Sequence, residues 1–300
     1  MSDLETDIKL LLSLAVAFVM TTAIIVAVLE VRWLRRQGRF TRGDRRRMWL
    51  SLSTLPPNAV VSLATAPVWT AIYITAAQFA VFEIPINPFT IFVAFLVADF
   101  SYYWEHRCSH RIPILWYLYH SIHHSADSYT VSTAYRISFL TQLWAPGFYV
   151  PWILLGMDPV LIGGFQLFAF HYQAWIHTDM IGRLGFWDRW FNTPANHRMH
   201  HSIAHRDVNM GAVLIIWDKL FATYAPPESN VVYGIPGERA PQTPLALYTQ
   251  TWRHLVPKSA LSLFGHDGFA SRDVNSRSRN HCTTQPNPTA GDFSKEPVTE

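Results

Sequence analysis

The stretch FVAFLVADFSYYWEHRCSH, residues 92–110, is wholly apolar until Asp99 and carries polar side chains from there on. Asp99, Tyr103, His106 and His110 follow at intervals of four, three and four residues, which places them on one face of a helix. We therefore predict a helix that leaves a membrane with one polar stripe on an otherwise apolar surface. Asp99 is a candidate metal ligand. We favour a supporting role for it, because ligating histidines usually donate their second ring N–H to a carboxylate or carbonyl.

Further histidines follow in tight clusters, and eleven of the fourteen lie between His106 and His205. The later clusters are His120-x2-His123-His124 and His197-x2-His200-His201, and His171 and His177 lie singly between them. Each triplet can present two rings to one metal from a single helical turn, while the third ring turns toward another metal. Two facing triplets therefore suit a dinuclear centre better than a mononuclear one. His177 is a candidate to complete one coordination shell, and Gln173, one turn earlier, a candidate to position a ligand or water.

The donor set is rich in imidazole and poor in carboxylate, which bears on the identity of the metal. Zinc usually takes four ligands and would leave histidines unused, whereas histidine sets also suit non-haem iron, copper or nickel. Cys108 and Cys282 form no CxxC pair, which excludes a thiolate zinc site. An iron pair beside lipid would suit oxygen activation. A histidine-lined metal transporter or sensor remains the alternative.

The composition indicates an integral membrane protein. Half of the residues are hydrophobic and only 15% are charged, against about 25% in a typical soluble domain. The uncharged or nearly uncharged runs are residues 10–29, 59–82, 88–98, 137–157 and 159–170. The first run is long enough to cross a bilayer, and the acidic residues before it argue against a secretory signal, so we expect a permanent anchor. We predict an all-α integral membrane protein with four to five membrane-embedded helices and a cytoplasmic histidine-rich catalytic cap.

The orientation follows from the basic loop after the first run. Its arginines are Arg32, Arg35, Arg36, Arg39, Arg42, Arg45, Arg46 and Arg47, opposed only by Glu30 and Asp44. The positive-inside rule places this loop in the cytoplasm. A patch for nucleic acid or anionic lipid is an alternative. Beside a transmembrane run we favour the topological interpretation and expect no nucleic-acid partner. An even number of crossings then brings every histidine cluster to the cytoplasmic side.

Residues 137–170 contain two uncharged runs, and their sequence allows two paths through the membrane. Gly156–Pro159 reads as a turn, and both a full hairpin and a shorter re-entrant one satisfy the pattern. We divide the chain into an N-terminal transmembrane region (1–85), a catalytic domain (86–225), a peripheral segment (226–265) and a tail (266–300) whose composition predicts disorder. His266 and His281 lie in that tail and should be solvated. His171, His205 and His254 should be core or surface histidines.

The order HxxxH, HxxHH, HxxHH in a polytopic chain resembles the membrane fatty-acid hydroxylase and sterol desaturase superfamily. Residues 99–110 are similar to the first histidine box of that family, and residues 120–125 to the second. Three later stretches resemble the alkylglycerol monooxygenase branch: YQAWIHT (172–178), FNTPANHRMHH (191–201) and LIIWDKLF (214–221). The likeness covers roughly residues 90–225.

The resemblance implies an all-helical membrane fold with a cytoplasmic cap over a di-iron centre. Members of the family use O2 to hydroxylate or desaturate a membrane lipid such as a sterol, fatty acyl or ether lipid. Carried over by position, the metal ligands are His106, His110, His120, His123, His124, His177, His197, His200 and His201. Asp99, Gln173 and Asn209 would support them, Asn209 because Asn209-x-Gly211 resembles an Asn-x-Gly of the family.

The resemblance also implies an external electron donor. Relatives use either a reduced pterin or a small redox protein, and this chain has no sequence motif for haem, flavin or nicotinamide. We therefore expect two Fe ions, O2 as co-substrate, a membrane lipid as substrate and an electron-donating redox partner. The sequence predicts no particular oligomeric state.

Overall fold

The computed structural model describes residues 2–205 and 207–255, and within them the fold is helical. The helices are α1 (Ser2–Arg36), α2 (Arg42–Leu52), α3 (Leu55–Gln78), α4 (Pro88–Arg111), α5 (Pro113–Leu115), a π-helix (Trp116–His120), α6 (Ser121–His124), α7 (Val131–Ala134), 3₁₀ helices Phe139–Leu143 and Ala145–Tyr149, α8 (Val150–Leu154), α9 (Pro159–Ile176), a 3₁₀ helix Gly185–Arg189, α10 (Pro194–His200), α11 (Ile216–Leu220), α12 (Pro244–Trp252) and a 3₁₀ turn Arg253–Leu255. These residues contain no strand, only two isolated β-bridges. The predicted helical class is confirmed.

Local sequence sets where the two long helices of the site begin. The Asn87 side chain accepts hydrogen bonds from the Phe89 and Thr90 amides, and the Thr90 hydroxyl accepts one from the Asn87 amide. Asp158 caps α9 in the same way, with Pro159 in the first turn. Each cap satisfies amides that have no partner inside the helix, and proline lacks the amide that would need one.

Two helical stretches are long and apolar enough to cross a membrane, Leu10–Arg36 and Arg42–Gln78. That statement rests on length and composition, and it concerns only the part of the chain described above. The second stretch combines α2 with α3 and contains Pro67 without ending there. The membrane-embedded roles of α4, α9 and residues 137–157 remain predictions.

Residues 137–157 form short 3₁₀ and α-helical pieces instead of one continuous helix, and they lie along α3. Side chains of α3 donate to carbonyls of this run in three places: Asn58 to Ile137, Trp69 to Gln142 and Tyr73 to Pro146. Beyond α3, the Val81 amide donates to the Leu154 carbonyl. A broken helix at membrane depth needs such partners for its freed carbonyls. The run therefore follows α3 to the loop beyond its end.

Alanines let the long helices approach closely. Ala94 and Ala98 of α4 are buried with Ile153, Leu161 and Ile162 in one apolar core that also contains Tyr73, Ala76 and Tyr149. A second small cluster joins Ala23 of α1, Ala134 and Ala174 of α9. The packing sets α4 beside α9. His106 and His110 lie near the C-terminal end of α4, and His177 directly follows α9.

Glu30 in α1 is buried and faces the histidine-bearing part of the chain. One of its carboxylate oxygens accepts a hydrogen bond from the Thr178 hydroxyl, and the other accepts one from the Val131 amide at 3.0 Å. In the sequence, Glu30 is one of the two acids that oppose the arginine loop. In the fold it ties the end of α1 to α7 and to the residue after His177.

The segment after residue 225 packs against the π-helix. The Thr251 hydroxyl of α12 donates to the Tyr117 carbonyl at 3.0 Å, and Arg46 donates to the Gln242 carbonyl at 2.8 Å. The predicted domain boundaries remain predictions. The tail, 266–300, with His266 and His281, lies outside the described residues.

Candidate metal centre

Nine histidines converge into two adjacent groups at the ends of α4 and α9. The first group is His106, His110, His120, His124 and His200, and the second is His123, His177, His197 and His201. Within each group the candidate ligand nitrogens all lie within 4.8 Å of one another. Each HxxHH triplet is divided between the groups, as its helical spacing predicts. Each group could therefore hold a metal ion.

The ring nitrogens that meet are the Nε2 atoms. In the first group, Nε2 of His120 lies 2.9 Å from that of His106 and 3.1 Å from that of His124. Nε2 of His124 lies 3.0 Å from that of His200. In the second group, Nε2 of His177 lies 3.1–3.2 Å from those of His123, His197 and His201. The rings thus present one kind of atom to a shared centre.

The opposite nitrogens show why this arrangement suits a cation. Nδ1 of His106 donates to the Met210 carbonyl at 2.8 Å, and Nδ1 of His200 donates to the Val208 carbonyl at 2.8 Å. Nδ1 of His177 donates to the Gln173 carbonyl at 2.6 Å. A neutral imidazole that donates from Nδ1 carries its lone pair on Nε2. Lone pairs facing one another repel unless a cation lies between them, so the donor set fits a bound metal.

Burial keeps the rings neutral. It lowers the pKa of His106 to about 3, helped by the nearby His110, and it lowers the pKa of His177 to about 4. Burial is also the main reason why the pKa values of His120, His123, His124, His197, His200 and His201 lie well below the usual value. Neutral imidazole is the form that binds metals.

Asp207 supplies a carboxylate acceptor that the sequence analysis did not single out. Its Oδ1 lies 3.1 Å from Nδ1 of His110. Its backbone is left-handed, with φ of 61°, a conformation that aspartate and asparagine adopt more readily than most residues. The only sequence signal for this role is an acidic residue six positions after the last histidine cluster.

Asp99, expected to accept from a histidine ring, holds a loop instead. Its carboxylate accepts from the Val213 amide at 2.9 Å, the Leu214 amide at 3.2 Å and the Trp217 indole at 2.8 Å. This loop also contains Met210, whose carbonyl accepts from His106. Asp99 therefore acts on the site through the loop and not through a direct contact with a ring.

Asp218 fixes the same loop from its other side, and the sequence analysis did not single it out. One carboxylate oxygen accepts from the Met210 amide and the other from the Gly211 amide, each at 2.8 Å. Gly211 has no room for a side chain, since a Cβ there would lie 2.3 Å from the Leu214 carbonyl oxygen. The loop is thus held tightly on both sides of the carbonyl that orients His106.

Gln173 and Asn209 both lie beside the centre, and each acts through backbone groups. The Gln173 carbonyl accepts from His177, and its side chain donates to the Ala212 carbonyl at 2.9 Å. The side-chain amide of Asn209 donates to the main-chain carbonyls of Asn196 and Ala225, each at 2.8 Å. Asn196 directly precedes His197, so Asn209 joins the loop to the helix that carries the last triplet.

The π-helix Trp116–His120 connects α5 with α6 and contains the first histidine of the second cluster. Such π-turns are frequent at functional sites, because they rotate the following side chains relative to an α-helix. The Trp116 ring lies against His110 and His124, with ring centroids 5.2 and 5.4 Å apart. This contact covers one side of the first group with an apolar wall.

The remaining described histidines lie outside both groups. His205 lies 3.2 Å from the Glu228 carboxylate, and His254 lies 2.9 Å from that of Glu238. His171 is partly buried on α9. Their positions agree with the expectation that they are core or surface histidines.

Comparison with known proteins identifies the region that carries the site. Residues 91–223 match the fatty acid hydroxylase family. The stretch contains all nine clustered histidines and the loop that orients them, so the resemblance predicted from the histidine boxes is confirmed for this region. No solved structure matches the chain.

Curated relatives are lipid hydroxylases and monooxygenases by name. Human alkylglycerol monooxygenase is 40% identical over 161 residues, which are 53% of this chain and 36% of that protein. The ornithine lipid hydroxylase OlsE of Rhizobium tropici is 32% identical over 167 residues, 51% of this chain and 47% of that protein. Human cholesterol 25-hydroxylase is 24% identical over 144 residues, 44% of this chain and 50% of that protein. The alignments span about a third to a half of these relatives.

Proposed function

We propose that this chain is a non-haem di-iron membrane enzyme that uses O2 to hydroxylate a membrane lipid, with desaturation as the alternative outcome at the same site. The observation that carries the proposal is the pair of adjacent histidine groups, whose Nε2 atoms converge while Nδ1 atoms of several rings donate to fixed carbonyls. In this proposal the first group holds one iron and the second holds the other. The match to the fatty acid hydroxylase family supports it.

Two bound iron ions would supply the activation of O2 in this reaction. The chain itself holds the rings neutral by burial, and it fixes the tautomers of His106, His177 and His200 through carbonyls of the 207–211 loop and of Gln173. Asp207, Asp99 and Asp218 hold that loop or its histidine contacts. Electrons would come from a separate donor, a reduced pterin or a redox protein.

A lipid substrate is supported by the surfaces around the site as well as by the relatives. N-terminal to the histidines, α4 exposes Phe89 and Phe92, and α9 exposes Leu167. Helix faces of this kind are stable only in contact with lipid or another apolar surface. Sterol, fatty acyl and ether lipids are all consistent with this environment, and the named relatives act on different lipids.

We further propose that the active site faces the cytoplasm in a multi-pass arrangement. Cysteine labelling after residues 47, 125 and 205 should report the cytoplasm, and labelling near Glu83 the opposite side. The Val81–Leu154 hydrogen bond places the turn of the 137–170 hairpin beside the loop that contains Glu83. Labelling of either histidine region from outside the cell would contradict this topology.

A non-catalytic metal transporter or sensor is the competing function. Transporters arrange ionisable groups along a pathway near the bilayer midplane. Here the nine histidines gather at the C-terminal ends of α4 and α9 and in the short helices that follow them. That arrangement favours a single fixed centre over a path.

The test compares the lipids of cells that lack the gene with those of cells complemented by the wild-type chain, grown under ¹⁸O2. The proposal predicts a lipid that carries one ¹⁸O, or one additional double bond, and that disappears with the gene. Complementation with His200→Ala should not restore the product, whereas His205→Ala should. Unchanged lipids together with altered metal uptake or efflux would support the transporter instead.

A further inference from the structure

A short segment before α10 exposes large apolar side chains next to the metal centre. Within residues 182–190 only Asp188 is buried. The exposed apolar residues, here called the loop patch, are Leu184, Phe186, Trp187, Trp190 and the neighbouring Leu220, with exposed fractions from 39% to 65%. Single exposed apolar residues are ordinary, but a group of five that includes three aromatic rings marks an interaction surface.

The segment is firmly attached to the helix that carries the last histidine triplet. The Asp188 side chain accepts a hydrogen bond from the Thr193 hydroxyl. The Asn196 side chain donates to the carbonyls of Asp188 and Phe191, each at 2.9 Å. Whatever the loop patch contacts is therefore coupled rigidly to α10.

The packing of Phe191 relates the loop patch to the expected membrane helices. Phe191 lies in one cluster with Phe95 of α4 and Phe168 of α9, and its ring centroid is 5.7 Å from that of Trp187. Phe95 and Phe168 belong to the uncharged runs 88–98 and 159–170. The loop patch thus continues the apolar surface of those helices and does not stand alone on the cap.

The exposed charges within the segment and next to Leu220 have one sign. Arg183, Arg189 and Lys219 are exposed beside it, whereas Asp188, the acid within the segment, is buried. Aromatic rings flanked by cations are typical of segments at the boundary between headgroups and acyl chains, where the cations meet lipid phosphates. A soluble protein partner would need a matching apolar and acidic face, and the continuity with the membrane helices favours the bilayer.

We infer that the loop patch is inserted into the headgroup and acyl boundary of the phospholipid bilayer, so that the second histidine group is held close to the lipid surface. The inference adds a membrane contact within the cap that the spans alone do not provide. It requires a membrane protein but no particular reaction, so it can be tested without an activity assay.

The test uses the full-length chain in nanodiscs of phosphatidylcholine and phosphatidylglycerol. In a Cys108→Ser, Cys282→Ser background, Phe186→Cys carries a nitroxide label. Val232→Cys is the matched control, since Val232 is apolar and 66% exposed but lies outside the loop patch. Collision of each label with O2, which concentrates in lipid, is compared with collision with the water-soluble nickel complex of EDDA. The inference predicts a ratio of O2 to nickel collisions several-fold higher at position 186 than at 232.

Two results would overturn the inference. Equal ratios at the two positions would place the segment in water. Protection of the label at 186 from both reagents, with spin–spin broadening, would show that a second copy of the chain covers it. Metal content equal to that of the wild-type chain in both labelled variants establishes that the fold is retained, so loss of structure cannot produce either result.

Discussion

Several rings of the centre are oriented by the group that their second nitrogen contacts. His106, His177 and His200 donate to main-chain carbonyls, which no side-chain substitution removes directly. His110 differs, because its Nδ1 meets the side chain of Asp207. At the scale of single residues, Asp207 is therefore the most direct place to test whether these contacts matter.

Asp207→Asn should weaken metal binding by the first histidine group by roughly 10–100-fold, the usual loss when such a supporting partner is altered. Asparagine tolerates the left-handed backbone of this position, so the fold should be retained. Competition with a chelator measures the affinity. Asp127→Asn is the control, because Asp127 bonds Arg47 away from the centre. Equal affinity in the two variants would exclude the proposed role of Asp207.

Gly211→Ala should displace the loop that orients His106, since the added Cβ would meet the Leu214 carbonyl oxygen at 2.3 Å. Thermal unfolding in detergent should show a clearly lower Tm together with reduced metal content. Gly163→Ala in α9 is the matched control, since a Cβ there has no neighbour within 4 Å. In a helix this exchange should be neutral or stabilise by up to about 1 kcal/mol. Equal Tm values for the two variants would show that the Cβ added at position 211 does not displace the loop.

At the scale of helices and loops, periodicity predicted much of the site and tertiary contact supplied the rest. The stripe from Asp99 to His110 is buried on one face of α4, and the triplets divide as their spacing indicates. Local spacing could not show that Asp99 meets amides more than 110 residues later in the chain, or that carbonyls of the 208–210 loop orient two rings. Every residue type has a backbone carbonyl, so the sequence does not reveal which carbonyls accept these hydrogen bonds.

Glu30 gives the sharpest test at this scale. Glu30→Ala should leave the Thr178 hydroxyl and the Val131 amide without their acceptor, at a cost of about 1–3 kcal/mol for each buried group. Glu30→Gln keeps an acceptor oxygen and should lose less. Thermal unfolding in detergent, followed by metal analysis, compares the two variants. If the alanine and glutamine variants melt at the same temperature, the hydrogen bonds that Glu30 accepts do not stabilise the site.

For the whole molecule, the buried histidines determine how stability depends on pH. The pKa values of His106 and His177 lie at about 3 and about 4 in the folded chain, below the ordinary value of 6.5. Between these values the unfolded chain binds protons that the folded chain does not, so acidification favours unfolding. Glu105 and Asp218, with pKa values raised to about 7 and about 6, act in the opposite sense. The eight rings of the centre with lowered pKa values outnumber the buried acids whose pKa values are raised, so their effect sets the direction.

The metal-free protein should therefore lose stability as the pH falls from 7 toward 4. Each ring that stays neutral contributes up to about 1.4 kcal/mol per pH unit within its window. Above pH 7 the histidine contribution should be constant. Thermal unfolding from pH 5 to 8 measures the effect, and His177→Gln should reduce the slope. A Tm that stays level or rises toward pH 5 would contradict the burial of neutral rings.

Our proposal requires that one chain holds two iron ions, one in each histidine group. The most direct measurement is elemental analysis of purified protein expressed in iron-replete medium, related to protein concentration by amino-acid analysis. We expect about two irons per chain, because the nine histidines divide into groups of five and four. One metal per chain, none after careful handling, or zinc in place of iron would contradict it.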